Sequence, residues 1–400
     1  MRDIRRNLVW RRKFAGSIRF FATNLWDSIV AYIPSLTTSK VKNKDKNKKK
    51  LLLVRVDAIG DFVLWLDCFR RFRQHYPKDN WEITLVGNSI WRDLAEPLRY
   101  ADRYWFVDVS RFRNHLFYRR GWLKKIRSEE FDVAISPVFS RRTLTSDSLA
   151  GRSGAKERIA FSGDLSNATE YERKVGDRWF SRIVPAREGI QHELVRNAEF
   201  MQGITGEKIE LGIGRFEPGP LNTFLIPDSQ YFIVAPGAND FNRAWPVPRF
   251  AELLRYICKK TGWVAVIVGG EAEINIAADL ASSCPEISCL NYTGKTSLNE
   301  LLGLLRGAAL CLSNESMLVH IAAALNVNVV SIVGGGHWQR FIPYPPGIGP
   351  LVHPVVENMS CFGCGWNCRH DEFDGTTWPC IKNVRTVSVY QVIDTLIASD

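Results

Sequence analysis

Several things are missing from this 400-residue chain, and each narrows what it can be. No run of 18 uncharged apolar residues occurs, so no membrane-spanning helix is expected. Near the start, Arg19 interrupts the apolar stretch and no small-residue cleavage site follows, so no secretory leader is expected either. The nine cysteines are then read in a reducing, cytoplasmic setting, with mostly free thiols. Most of the chain also lacks a charge excess. The formal net charge is +11, but residues 1–50 alone hold 14 Lys+Arg against 3 Asp+Glu. Residues 51–400 carry 39 of each sign, a neutral body that argues against a nucleic-acid partner.

Familiar nucleotide motifs are absent as well. "TGKTS" (293–297) ends like a phosphate-binding loop, but Cys289 stands where that motif needs its first glycine. No G-x-G-x-x-G follows a strand, which removes the dinucleotide fingerprint. No D-x-D occurs, so the usual carboxylate pair for a metal-chelated nucleotide sugar is lacking.

What is present is orderly. In residues 1–36, apolar positions Ile4, Leu8, Phe14, Ile18, Phe21, Leu25 and Ile29 fall at helical spacing, with Arg2, Arg5, Arg6, Arg11, Arg12 and Lys13 crowding the first half. This reads as a basic amphipathic helix for an anionic membrane surface, or as a helix packed on the body. The following "TTSKVKNKDKNKKK" (37–50) reads as a lysine-rich tether. From residue 51, strands are predicted at 51–56, 81–87, 103–109 and 131–138, with a helix over 62–76. A polar linker is expected near 205–228. A second βα series follows, with strands at 231–237, 263–270, 309–314 and 328–336. Its helices are predicted at 248–262, 272–284, 298–308, 317–326 and 387–399. The alternation argues an α/β protein with two Rossmann-like halves. The expected domains are 1–50, 51–215, 229–385 with a cysteine-rich segment at 361–380, and a terminal helix in 386–400.

In such sheets ligands bind beyond the carboxyl ends of the strands, which ranks the loops. "DAIGD" (57–61) follows the first strand. Gly60 permits a tight turn, and Asp61 is either a general base or a helix N-cap. "APGANDFNRAWPVPRF" (235–250) offers Arg243 for a phosphate. "VGGEAE" (268–273) offers Glu271 for a ribose. "LSNESMLVHIAAAL" (312–325) offers small polar groups from Ser313 to Ser316 before a helix start, a natural anion site. His320 lies inside that helix.

These segments, in the order "VRVDAIGDFVL", "APGANDFNRAWPVPRFAEL", "VGGEAE", "YTGKTSLNELLGLL", "SNESMLVHIAAAL", resemble glycosyltransferase family 9, the bacterial heptosyltransferases of lipopolysaccharide assembly. The resemblance implies a GT-B fold, two Rossmann-like domains facing across a cleft, with the acceptor mainly on the first and the donor mainly on the second. It implies inverting, metal-independent transfer of a sugar, heptose in the family, from a nucleotide sugar such as ADP-heptose to a lipopolysaccharide or other cell-surface glycan. Asp61 falls on the family's general base. Arg243 falls on the residue meeting the donor diphosphate and Glu271 on the ribose glutamate. Lys295, Glu315, Ser316 and His320 fall on further donor-side positions. The chain departs at Glu315-Ser316-Met317, where the family commonly reads D-T-G. At 333–338, "VGGGHW" replaces the usual "FGPTDP", and its three glycines are expected to restore close backbone approach to phosphate. The resemblance implies no catalytic cofactor, and with the basic N-terminus it suggests a cytoplasmic enzyme peripheral to the inner membrane. The alternative is a catalytically weak nucleotide-sugar-binding or scaffolding protein.

Cys361, Cys364, Cys368 and Cys380 crowd one segment with His370 nearby. Structural zinc is one reading, free or disulfide-paired thiols the other.

Overall fold

The computed structural model describes residues 20–27, 48–216, 226–368, 370, 373 and 375–398. Its first sheet contains β1 (Lys49–Arg55), β2 (Trp81–Asn88), β3 (Arg103–Val107), β4 (Val133–Ser136), β5 (Glu157–Phe161) and β6 (Arg182–Val184). All pairings are parallel, in the order β3-β2-β1-β4-β5-β6. Its central strand β1 buries Leu51, Leu52, Leu53 and Val54 completely, as a parallel strand covered on both faces must.

The second sheet contains β7 (Tyr231–Ala235), β8 (Val264–Ile267), β9 (Cys289–Asn291), β10 (Leu310–Asn314), β11 (Val329–Ile332) and β12 (Val352–Val355). Its order, β12-β11-β10-β7-β8-β9, repeats the first topology strand for strand. Both sheets follow the classic doubly wound order 3-2-1-4-5-6. The sequence pattern predicts the long apolar strands of each half and misses β5, β6, β9 and β12. Those strands are three to five residues long, and "ERIAF", "RIV", "CLN" and "VHPV" lack a continuous apolar run.

Two compact units result. One gathers the described residues up to Ala58, Cys68–Arg187 and Asn197–Ile209. The other gathers Ile59–Asp67, Glu188–Arg196 and the described residues from Glu210 onward. The first turns of helix Ile59–His75 therefore count with the second unit, although the strand before them belongs to the first. In the first unit, Leu52, Val54, Val86, Ala134 and Ala160 pack against Phe112, Leu123 and Ile126. In the second, Phe232, Val234 and Ala265 pack against Trp245, Phe250 and Leu254 of helix Val247–Thr261 and its approach. The indole of Trp245 donates to the Val384 carbonyl at 3.0 Å, and helix Thr386–Ile397 adds Val389 and Ile393 to that core.

Of the amphipathic N-terminal stretch, residues 1–19 and 28–36 lie outside the described residues, as does most of the tether. The described part, 20–27, is helical and packs on the first unit. Phe20, Thr23 and Asp27 are buried, and the Asp27 carboxylate accepts two hydrogen bonds from Arg119 at 2.7 and 2.5 Å. The tether is also shorter than expected, because Lys49 and Lys50 already belong to β1.

Candidate functional site

In the second sheet the strand order reverses between β7 and β10, and the loops after both strands converge there. Asn314, fully buried at the end of β10, joins them. Its side-chain amide donates to the Pro236 and Gly237 carbonyls at 2.8 and 3.0 Å, and its oxygen accepts from the Trp245 N–H at 3.0 Å. This is the topological switch point at which doubly wound sheets hold ligands.

Three of the expected residues meet here. Arg243 ends a 3-10 turn, Phe241–Arg243, capped by Asp240. Its guanidinium lies 3.6 Å from Glu315 Oε1. Arg243 Nε and Glu315 Oε2 are both buried without a hydrogen-bond partner among the described residues. Burial pushes the Glu315 carboxyl up to about 7, with Arg243 pulling the other way. Ser316 is the N-cap of helix Met317–Leu325. Its hydroxyl accepts from the Leu318 N–H at 3.2 Å and pairs with Ser313 Oγ at 2.9 Å. The capped first turn gives a cluster of N–H groups and the positive end of the helix dipole.

The turn carrying Asp61 lies against this helix. A Cβ on Gly60 would stand 3.1 Å from His320 Cδ2 and 3.7 Å from Met317 Cα. Gly60 does not adopt a positive φ, so the expectation that it serves a tight turn is corrected: it permits close approach to the neighbouring helix. Asp61 is not the N-cap. Ala58 holds that position with no side-chain cap, and Asp61 is half-buried in the first helical turn.

His320 is buried and pairs through Nδ1 with the Tyr344 hydroxyl at 2.8 Å. Burial and the neighbouring His192 hold it neutral, its pKa pushed down to about 3. His192 was not singled out from the sequence. Its Nδ1 accepts from the Leu194 N–H and its Nε2 donates to the Phe341 carbonyl at 2.6 Å, which fixes the neutral tautomer. Burial pushes its pKa down to about 4. The His192 and Tyr344 rings stand 4.9 Å apart. Only the segment's place in the fold, not any motif, brings His192 into this cluster.

Glu271 and Lys295 lie at the carboxyl ends of β8 and β9, beside the switch point rather than in it. Glu271 opens the 3-10 turn Glu271–Glu273 and is exposed. Its neighbour Glu273 is the packed one: it accepts from the Gly270 N–H at 2.7 Å and fills the space beside Gly237, where a Cβ would collide with it. Gly294, at φ 71°, brings the Lys295 loop within 3.6 Å of the Glu271 backbone, counted from an added Cβ. Lys295 itself is exposed and donates to the Asn291 carbonyl at 3.0 Å.

The glycines at 334–336 have a different use from the one expected. They admit aromatic rings of the cysteine-rich segment: a Cβ on Gly335 would overlap the Phe362 ring, and one on Gly336 the Trp366 ring. Backbone bonds from Gly363 N–H to Gly335 O at 2.7 Å and from Gly365 N–H to Gly336 O at 3.0 Å fix the arrangement. Trp366, at φ 64°, then lies under the Arg243 guanidinium at 4.1 Å. Cation–π stacking of this kind aims the guanidinium. The sequence held a signal for it, a tryptophan between the cysteines, but nothing to say what it faces.

Cys361, Cys364, Cys368 and Cys380 line one small cavity with His370, Met359 and Trp378. Their donor set suits a thiophilic metal, but among the described residues no group of three or more His, Cys, Asp or Glu is placed to hold an ion. All four are free thiols, as are the other five cysteines.

Two Rossmann-like units of this topology in one chain are the mark of the GT-B fold. A family model, glycosyltransferase family 9 (heptosyltransferase), matches residues 119–364. The lipopolysaccharide heptosyltransferase 2 of Escherichia coli K12 is 33% identical over 296 residues, covering 71% of this chain and 82% of that protein. The chain belongs to glycosyltransferase family 9 and is a glycosyltransferase. Among solved structures, a family 9 glycosyl transferase from Veillonella parvula DSM 2008 superimposes with a TM-score of 0.70 at 16% identity, over 90% of this chain and 100% of that one. The ADP-heptose lps heptosyltransferase II of E. coli gives 0.63 at 16% identity, over 88% and 99%. These two show that the fold is shared.

Proposed function

We propose that this enzyme transfers heptose, with inversion and without a metal ion, from ADP-heptose to a lipopolysaccharide or other cell-surface glycan. The activities of the relatives support the substrates, and the missing D-x-D motif agrees with the metal-free chemistry. The observation that carries the reading is the contact of the Gly60–Asp61 turn with the start of helix Met317–Leu325. That contact brings the turn that carries Asp61 against the helix whose N-terminus lies next to Glu315 and Arg243, which supports the assignment of Asp61 as the base.

In this mechanism Asp61 takes the proton of an acceptor hydroxyl as its oxygen attacks the anomeric carbon. The bond from that carbon to the diphosphate breaks on the opposite face, and ADP leaves. Arg243, Lys295 and the N–H groups behind Ser316 offset the charge that grows on the departing diphosphate. Glu271 accepts from the donor ribose. His320, held neutral against Gly60, donates or accepts a hydrogen bond on the donor side without adding charge. Asp61→Asn should keep the fold and lose about 10²–10⁴-fold in turnover. ADP release in the presence of acceptor measures it, and near-normal activity refutes the role of Asp61.

A second reading, a weakly catalytic nucleotide-sugar-binding protein, draws on Glu315. Its carboxylate, 3.6 Å from Arg243, competes with a phosphate for the same cation. ADP-heptose turnover by the purified protein separates the two.

The enzyme acts at the cytoplasmic face of the inner membrane in this account, with residues 1–50 meeting anionic lipid. Among the described residues no helix is long and apolar enough to cross a membrane. Structural zinc at Cys361, Cys364, Cys368 and Cys380, with no part in the chemistry, rests on the thiol donor set alone, since the described residues hold no group of three placed for an ion. Metal analysis of purified protein showing no bound zinc removes that role.

A further inference from the structure

The described helix at 20–27 turns Phe20, Thr23 and Asp27 into the protein and leaves Phe21 and Leu25 at 53% and 64% exposure. Isolated exposed apolar side chains are ordinary, but these are not isolated. The Trp26 ring meets Phe117 edge-on at 6.4 Å, and Phe117, on helix Leu116–Ser128, is 80% exposed beside Leu116 at 43%. The Asp27–Arg119 pair locks the two helices together. Residues 109–128 hold seven Lys+Arg and no Asp or Glu. Arg119 is buried by the pair, whereas Arg111, Arg113, Lys124, Lys125 and Arg127 are exposed and Arg120 is partly so. The stretches on either side in sequence, 1–19 and 28–50, each hold seven Lys+Arg and one Asp. Acidic groups border the patch at Asp108, which caps helix Val109–Asn114, at Glu129 and Glu130 just after Ser128, and near Tyr171, where Glu170 pairs with Lys174 and Glu172 caps its own helix.

We propose that this face of the first unit is a docking surface for an anionic lipid membrane. Phe117, Leu25 and Phe21 enter the interfacial region, and Arg113, Arg120 and Lys124 meet phospholipid headgroups. Apolar rings projecting from a ring of cations match that partner in both respects. A nucleic acid would leave the apolar tip exposed, and an acidic protein would have to supply an apolar pocket as well. The inference rests on the action at the inner membrane proposed above, and it places the lipid contact on the folded body as well as on the basic N-terminal stretch.

The test is flotation of the full chain with vesicles of phosphatidylcholine alone or mixed with phosphatidylglycerol. Wild type should bind the mixed vesicles and release with added salt. Leu25→Ser/Phe117→Ser and, separately, Arg113→Ser/Arg120→Ser/Lys124→Ser should each lower partitioning by about tenfold or more. Phe117→Trp should retain binding, since Trp suits the interface. Melting temperature and ADP release with a soluble, delipidated acceptor should stay unchanged in all variants. Wild-type partitioning in the serine variants overturns the proposal, because the N-terminal stretch then carries the membrane contact alone. So does equal binding to both vesicle types, or serine variants that change only particle size without vesicles, which marks a contact between copies. Lost RNA binding with intact vesicle binding overturns it in favour of nucleic acid. Failure of the transferase reading itself appears separately, as absent turnover with vesicle binding intact.

Discussion

Glu315 offers a quantitative test of the switch-point site. Its carboxylate is buried 3.6 Å from Arg243, and burial raises its pKa to about 7. If Arg243 binds the donor diphosphate, an ionised Glu315 repels that diphosphate and a protonated one does not. In the limit where only the protonated form accepts donor, the apparent dissociation constant scales as one plus the ratio of ionised to protonated carboxyl. That ratio is about 0.1 at pH 6 and about 10 at pH 8, so affinity should fall about tenfold, or about 1.4 kcal/mol, across that interval. Glu315→Gln keeps the shape and removes the charge, so its affinity should be flat over the same range. The assay is calorimetric titration with ADP-heptose at pH 6, 7 and 8. The intact nucleotide sugar is the right probe because its diphosphate is esterified at both ends. It therefore lacks the second phosphate ionisation, near pH 6 in monoesters, that would confuse the readout. Stability should move in a linked way. The folded pKa lies above the unfolded one, so the stability that protonated Glu315 contributes below about pH 4.5 is lost as pH rises through about 7. The Gln variant should lose that part of the slope. A wild-type donor affinity independent of pH, or a slope kept in Glu315→Gln, would show that Glu315 does not face the donor phosphates.

Three further outcomes are expected. Arg243→Ala should raise donor KM with a smaller effect on kcat in steady-state kinetics; an unchanged KM removes Arg243 from the donor site. Trp366→Ala frees the guanidinium it supports at 4.1 Å and should raise donor KM about 5–30-fold, the worth of one partly desolvated cation–π contact, with Trp366→Phe restoring part of it. Equal effects of Ala and Phe on KM would mean that stacking is not what aims Arg243. Asp27→Ala leaves the buried Arg119 with Leu144 O and Ser148 Oγ as its hydrogen-bond partners among the described residues and should cost about 3–5 kcal/mol in urea unfolding, whereas Asp27→Asn should cost less. A loss below about 1 kcal/mol would show that helix 20–27 is not held by this pair.

The sequence by itself determined the architecture and the family. Short uninterrupted apolar runs such as Leu51–Val54, ended by a turn, read as strands buried on both faces, and their alternation with helical periods leaves few alternatives to a pair of doubly wound sheets. Five short segments in register put forward Asp61, Arg243, Glu271, Lys295 and the Glu315–His320 stretch as candidates, because loops after parallel strands carry the ligand chemistry. Tertiary structure alone decided what those residues touch. A glycine in a sequence says only that side-chain bulk is absent: Gly60 clears room for His320, and Gly335 and Gly336 clear room for Phe362 and Trp366, not for a phosphate. Helical periodicity showed that residues 20–27 form an amphipathic helix but not which face turns inward, because the buried Asp27 is stabilised by Arg119, 92 residues away. Burial works in the same way at the site. The neutral state of His192 and His320 and the raised pKa of Glu315 come from desolvation by distant segments, and no local pattern of residues encodes that.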